Sequence, residues 1–499
     1  MRKENSIRLN RDVYRDKVYA CWLGKNIGGT MGTPYEGTHD YLDVKGFVTK
    51  ENVVLPNDDL DLQLVWLYAV EKIGSRAINA MSLGEFWLGF LPANWNEYGI
   101  GKINMRRGLL PPLAGDYENV WQDSNGAWIR TEVWASLAPA SPDIAAKYAI
   151  EDAKVDHGAG EGTYAAAFVA AMQSAAFVVP DLRKCIEIGL AAIPENCRMA
   201  DSIRLTLECY DKGMSPLDTR NAIQRRNQDV GDGWFQAPSN VAYAILGLLY
   251  GEGDFKKTMI CAINCGDDTD CTAATVGATL GILGGTAAIP EDWKKHIGDD
   301  IVTISIDRHD SSACRKLPNT CTELTDRVVR QAPHVLFDNE ADVCLTDGET
   351  ALPDNLSEKL LAGGKIRQSL LNLRKNSMHF DFSVLGADVV LESAPEIRPN
   401  GSVDIELTLT ANTHTFGHNP YAIGFRWWLP EGFRVEGERM SMTLHRKDGA
   451  RHLCGYNGKR ITRFTISAGE QISATNRCVL EIVAEGRCTP MYIPVTLLG

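Results

Sequence analysis

The sequence predicts an all-helical domain followed by an all-β antiparallel sandwich. Apolar residues recur at helical spacing from residue 12 to about 335, and alternate at strand spacing after about 365. A length of 499 residues also exceeds one ordinary domain. The helical domain is placed at residues 1–335, a mixed connecting segment at 336–365 and the sandwich at 366–499.

In chain order, VYRDKVYACWLGKNIG, LDLQLVWLYAVEKIG, YAAAFVAAMQSAAFVV, IRLTLECYDKG, NVAYAILGLLYGEG and FKKTMICAINCG have the alanine and leucine content of packed helices. Several are apolar on more than one face, as expected of inner helices surrounded by others. Between them, LGFLPANWNEYGIG and MRRGLLPPLAGDYENV are long irregular connections suited to the rim of a cleft. Past the connecting segment come FDFSVLGADVVLES, GSVDIELTLTAN, AIGFRWWLP, FRVEGERMSMTLHR, ITRFTISAG, RCVLEIVAEG and MYIPVTLLG. These are short alternating runs broken by turn residues, the pattern of about seven or eight antiparallel strands.

The chain is 44% hydrophobic and 23% charged, the composition of an ordinary globular protein. Its net charge of −13 argues against a nucleic-acid partner. No uninterrupted apolar run follows the charged start MRKENSIRLN, so neither a membrane span nor a secretory leader is expected. Thirteen scattered cysteines, an odd number, suit reduced thiols and a cytoplasmic location; a chain whose leader had been removed would read the same. Oligomeric state is not legible.

Two acidic clusters precede helical segments. Asn57, Asp58 and Asp59 stand before LDLQLVWLYAV, and Asp267, Asp268 and Asp270 stand before CTAATVGATLGILGG. Helix capping needs one acceptor in each cluster, and one carboxylate of the first suits that role. Clustered carboxylates repel one another unless cations compensate, and together the two clusters offer the oxygen ligands that a hard cation such as Mg²⁺ or Mn²⁺ prefers.

Three motifs in order resemble the ADP-ribosylglycohydrolase family over about residues 15–300. Members open with GCxLGxxxGDxxGxPxE, where residues 21–37 read CWLGKNIGGTMGTPYEG; a Thr/Ser-Asp-Asp triplet matches Asn57-Asp58-Asp59; and GGDTDTxAAxxGAxxGAxxG matches CGDDTDCTAATVGATLGILGG. The resemblance implies an all-helical hydrolase with a two-cation centre, most often magnesium or manganese, held by Asn57, Asp58, Asp59, Asp268, Asp270 and the Cys271 position. Glu36 matches a glutamate that gates the site and acts in catalysis, and Asp59 or its neighbour helps position the sugar. Departures are the Gly29-Thr30 region in place of the first-motif aspartate, Asn57 for Thr/Ser, Cys271 for the last Thr, and Asp267 for a glycine. Cysteine is a softer donor and a poor ligand for Mg²⁺.

Other residues suit a substrate wall. Arg130 and Glu132, between Trp128 and Trp134, form either an internal ion pair or a polar recognition element beside aromatic rings. His157, in DHGAGEG, resembles the family's histidine after its Ser/Thr-rich turn. Asn94 and Trp95 in ANWNEYG, and Asp232 and Trp234 in QDVGDGWFQAPSN, have side chains suited to sugar hydroxyls and ring faces. The expected activity is metal-dependent hydrolysis of an N- or O-glycosidic bond of an ADP-ribosyl group on a small molecule or protein. The alternatives are a glycosidase of the same fold acting on a furanoside or other carbohydrate, and a non-catalytic ligand-binding relative.

Overall fold

The computed structural model describes residues 6–306, 308, 316–362, 364–382, 384–412, 420–445 and 458–499. The chain divides into two compact units: Met1–Gly99 with Asn119–Asn372, and Ile100–Glu118 with Leu373–Gly499.

The first unit is built around two helices, Arg11–Gly32 and Thr269–Gly284. Asn10 starts the former by accepting the backbone N–H groups of Asp12 and Val13. Small residues recur every fourth position along it, at Ala20, Gly24, Gly28 and Gly32, which lays one smooth ridge along the helix. The partner helix answers with Ala273, Gly277 and Gly281. A Cβ on Gly24 would stand 2.2 Å from the Gly277 carbonyl oxygen, and one on Gly28 2.3 Å from that of Ala273, so the two backbones touch. At the end of the ridge a Cβ on Gly32 would stand 2.4 Å from the Thr269 carbonyl oxygen. The turn leading to Glu36 is thereby pressed against the start of the second helix. Helices Glu161–Ala176, Ala237–Tyr250 and Phe255–Ile263 pack around Thr269–Gly284, whose residues from Thr269 to Ile282 are all buried.

Strand β1 (Ile7–Asn10), which the sequence pattern did not indicate, pairs in parallel with β2 (Val343–Thr346), placed by the same reading in the connecting segment. Among the described residues no helix is long and apolar enough to cross a membrane, and every cysteine is free.

The second unit holds β3 (Ser377–Asp381), β4 (Leu385–Leu391), β5 (Ser402–Ala411), β6 (Tyr421–Trp428), β7 (Arg434–Gly437), β8 (Ser441–Leu444), β9 (Lys459–Ser467), β10 (Thr475–Ala484) and β11 (Met491–Leu498). They form two antiparallel sheets, of order β11-β10-β6-β8 and β3-β4-β5-β9-β7. The nine described strands exceed the seven or eight expected because two apolar runs each supply a pair. FDFSVLGADVVLES turns back on itself as β3 and β4, and FRVEGERMSMTLHR sends β7 and β8 to different sheets. Ser383 and Arg446, within those runs, lie outside the described residues. Inner positions alternate, and Phe425 and Trp427 of β6 meet Phe464 of β9 to join the sheets. Trp428 faces outward with its indole N–H donated to Glu481. Residues from the helical half of the sequence join this unit: the Tyr117 hydroxyl donates to Glu396, and Gly108 lies against Thr496.

Candidate metal centre

Both acidic clusters open onto one cavity of 440 Å³ in the first unit. The first cluster is organised by Asn57, which caps helix Asp58–Ile73: its Oδ1 accepts the Asp59 backbone N–H at 2.7 Å, so the cap is the amide rather than a carboxylate. Asn57 Nδ2 donates to Asp270 Oδ2 at 3.1 Å and links the clusters. Asp58 lines the cavity and accepts the Tyr98 hydroxyl at 3.2 Å.

The second cluster does not cap its helix. Asp268 occupies the N-cap position of Thr269–Gly284 without a side-chain capping bond, and its Oδ2 instead accepts Asn125 Nδ2 at 2.5 Å. Neighbouring Asp267 has φ of 65°, the left-handed conformation for which the resembling motif supplies glycine. Its buried carboxylate accepts the Phe235 backbone N–H and Asn240 Nδ2, which holds the Phe235 turn over the cavity.

Glu36, Asp58, Glu97, Asp268 and Asp270 all line the cavity, and no described Lys, Arg or His does. Partial burial, then Asp268 and Asp58, push the Glu36 carboxyl up to about 7. Burial and Asp268 also raise Asp58 and Asp270. Asp268 Oδ1 and Asp270 Oδ1 are buried without a hydrogen-bond partner. Acceptor-only carboxylate oxygens left this way are costly unless a cation meets them, so the donor set fits a hard divalent ion. Glu36, Asp268 and Asp270 place ligand oxygens within 4.8 Å of one another, as do ligand atoms of Asp59, Asp270 and Cys271. Burial, with Asp268 beside it, pushes the Cys271 thiol well up, and its S–H donates to Asp59 Oδ1 at 3.3 Å.

Asp59 lies beneath the cavity rather than in its lining, 1% exposed. Its Oδ2 is 3.6 Å from the ammonium of Lys25, which is also 3.2 Å from Glu132 Oε2. Burial alone would lower the pKa of Lys25, yet Glu132 and Asp59 hold it above its ordinary value. Glu132 is therefore paired with Lys25 and not with Arg130, and it also accepts Gln63 and Gln173 amides. Arg130, fully buried, pairs with Asp152 at 3.0 Å and Asp156 at 2.8 Å, with Trp87 and Tyr98 rings alongside. Of the two accounts of Arg130 and Glu132, internal ion pairing is what the geometry displays, with the partners exchanged.

His157 is also fully buried behind the lining, its Nδ1 at 3.0 Å from the Gln122 carbonyl, and burial lowers its pKa. Glu97, Asp156 and His157 place ligand atoms within 4.8 Å, but Arg130 already supplies a positive charge to that group. Trp95 stands half exposed at the cavity wall, whereas Asn94 is exposed outside it. Asp232 is exposed and accepts the Trp234 backbone N–H; Trp234 stacks on His39 with ring centroids 3.5 Å apart, and neither Asp232 nor Trp234 lines the cavity.

Asn96, Glu97, Tyr98 and Phe235 also line the cavity and fall in the two segments read as suited to specificity, ANWNEYG and QDVGDGWFQAPSN, whereas Ser124 and Asn125 were not expected there. The helix starting at Asn96 turns Glu97 and Tyr98 inward, a signal available in the apolar spacing of NEYGIGKI. Lys25 carried the clearest overlooked signal: a lone charge inside a run of small and apolar residues on a helix expected to be packed.

Comparison with known proteins places these features in a family. The model of the ADP-ribosylglycohydrolase family matches residues 10–329. An uncharacterized protein of Archaeoglobus fulgidus is 24% identical over 297 residues, 57% of this chain and 92% of its own length. A solved structure titled ADP-ribosylglycohydrolase-related protein complex is 20% identical, covering 64% of this chain and 99% of its own, with a TM-score of 0.43. A FixG-related protein from Vibrio parahaemolyticus is 6% identical, covering 23% of this chain and 97% of its own, with a TM-score of 0.18. With a family match spanning most of the sequence and including both acidic motifs, the chain belongs to the ADP-ribosylglycohydrolase family.

Proposed function

We propose that the protein is a metal-dependent hydrolase of a glycosidic bond, with an ADP-ribosyl group on a small molecule or protein as substrate and Mg²⁺ or Mn²⁺ as cofactor. The observation that carries this reading is a cavity lined by Glu36, Asp58, Asp268 and Asp270 together with Trp95, Tyr98, Asn96, Asn125 and Phe235. Vicinal hydroxyls of a ribose suit the carboxylates, and the aromatic rings and amides suit a sugar or base face.

Asp58, Asp268 and Asp270 would hold the cation with Glu36 beside them, and a bound divalent ion supplies a grip on vicinal hydroxyls and on water. Glu36, with its carboxyl near 7 at the cavity mouth, is suited to take a proton from attacking water or give one to the leaving group at neutral pH. The remaining carboxylates favour positive charge developing at the anomeric carbon as the bond breaks. Trp95 and Tyr98 would exclude water from one face of the sugar.

The test is release of free ADP-ribose from arginine-, serine- and small-molecule-linked forms with Mg²⁺ or Mn²⁺, beside a panel of aryl furanosides and pyranosides. Turnover of a member of the first panel that is lost in Asp270→Asn supports the reading. Turnover confined to the second panel replaces the substrate class, and no turnover on either sinks the hydrolase assignment.

A further inference from the structure

Beneath the cavity, the Lys25 ammonium lies between Asp59 of the first acidic cluster and Glu132, 3.6 Å from one and 3.2 Å from the other. It arrives on helix Arg11–Gly32, one residue past the Gly24 contact that brings the two central helices together, and it is fully buried. Asp59 Oδ1 accepts the Cys271 thiol at 3.3 Å, and Oδ2, which makes no hydrogen bond among the described residues, faces the Lys25 ammonium across a 3.6 Å ion pair. Asp59 is accordingly absent from the cavity lining, whereas Glu36, Asp58, Asp268 and Asp270 are present in it. Asp268 Oδ1 and Asp270 Oδ1, on residues that line the cavity, are buried without a hydrogen-bond partner or an ion-pair partner among the described residues.

A divalent ion at Asp59, Asp270 and Cys271 would have to displace the ammonium from Asp59 or stand close beside it. It would also have to accept sulfur as a donor, a poor match for a hard cation. An ion held from the cavity side by Asp58, Asp268 and Asp270 meets neither obstacle. We propose that Lys25 is a built-in cation that neutralises Asp59 in place of an inner metal ion, so that the centre binds one divalent ion rather than two, held from the cavity side by Asp58, Asp268 and Asp270 with Glu36 beside them. Lys25 thereby acts as a positioning residue: it fixes Asp59, and Asp59 takes no ligand role. This inference rests on the reading of the cavity as a cation site.

The experiment is titration of the full chain with Mn²⁺, counting bound metal by elemental analysis and recording its electron paramagnetic resonance spectrum. One Mn²⁺ per chain at saturation, with the six-line spectrum of an isolated ion, is the expected result. Two per chain with an exchange-coupled spectrum overturn the inference and leave the proposed function standing. None bound overturns both. The paired variant Lys25→Met with Glu132→Gln removes one buried charge of each sign, which keeps the net buried charge unchanged while freeing Asp59 to take a metal cation. It should bind a second Mn²⁺ and acquire the coupled signal; a folded double variant that still binds one overturns the role given to Lys25. If that variant does not fold, the wild-type count decides.

Discussion

Gly29 and Asn57 share one small space: a Cβ at position 29 would stand 2.6 Å from Asn57 Nδ2. The two departures from the family motifs are therefore spatially coupled. The side chain missing from the first motif leaves the room that the longer amide of the second fills. From there Asn57 caps one helix through Oδ1 and reaches Asp270 through Nδ2.

Gly29→Ala should destabilise the protein by about 1–3 kcal/mol, because a methyl group must displace the Asn57 amide. Asn57→Ser keeps a capping hydroxyl and vacates the space, so the double variant should recover part of the loss, with a coupling of about 0.5–3 kcal/mol. Urea unfolding of the four proteins in the cycle measures this, and additive losses would refute the shared-space account.

Asp270→Asn should have opposite effects with and without metal. In chelator, removing one of several crowded buried carboxylates should raise the melting temperature. In excess Mn²⁺ the variant should fall below wild type, since binding at 100 times Kd stabilises the wild-type fold by about 2.7 kcal/mol. Thermal melts in the two buffers check the crossing; a variant less stable in both would argue against a metal-compensated cluster.

Glu97 sets a pH dependence. Burial, then the neighbouring Asp156, push its carboxyl from 4.5 up to about 8. The folded state thus holds a proton that the unfolded state releases, and stability from this group is fully present below pH 4.5 and lost as pH rises toward 8. Glu97→Gln should flatten that slope, which is at most about 1.4 kcal/mol per pH unit, and should gain on wild type most above pH 8. Denaturant titrations from pH 5 to pH 9 (roughly the window that linkage defines) would show unchanged slopes if Glu97 were ionised throughout.

Asp61 anchors the segment that brings Ile304 to the cavity. Its Oδ2 accepts the backbone N–H of Ile304 at 2.8 Å, that of Ser305 at 2.5 Å and the Ser305 hydroxyl at 2.9 Å. Asp61→Ala should cost about 3 kcal/mol, the penalty of leaving buried donors unpaired. Amide hydrogen exchange at residues 304 and 305 should accelerate, while protection in helix Thr269–Gly284 should persist.

The small and apolar residues of 12–32 and the run after Asp270 announce two packed helices, and the alternating runs after about residue 365 announce strands. These patterns are local: each follows from the period of one element, so sequence order suffices to read them. Asp58, Asp268 and Asp270 stood out as candidates for a related reason, since carboxylates concentrated at helix starts are costly without a compensating charge, whereas Glu36 stood out only through the family resemblance. The division of labour among neighbours was not legible. Asp58 and Asp59 are adjacent, yet the helical turn sends one into the cavity and the other down to Lys25. Likewise Arg130 and Glu132 pair with Asp156 and Lys25 rather than with each other. The sequence by itself determined the two fold classes, the paired acidic clusters and the family. Only the tertiary structure decided which carboxylates face the cavity and which are neutralised from within, because that choice depends on charges brought together from distant positions in the chain.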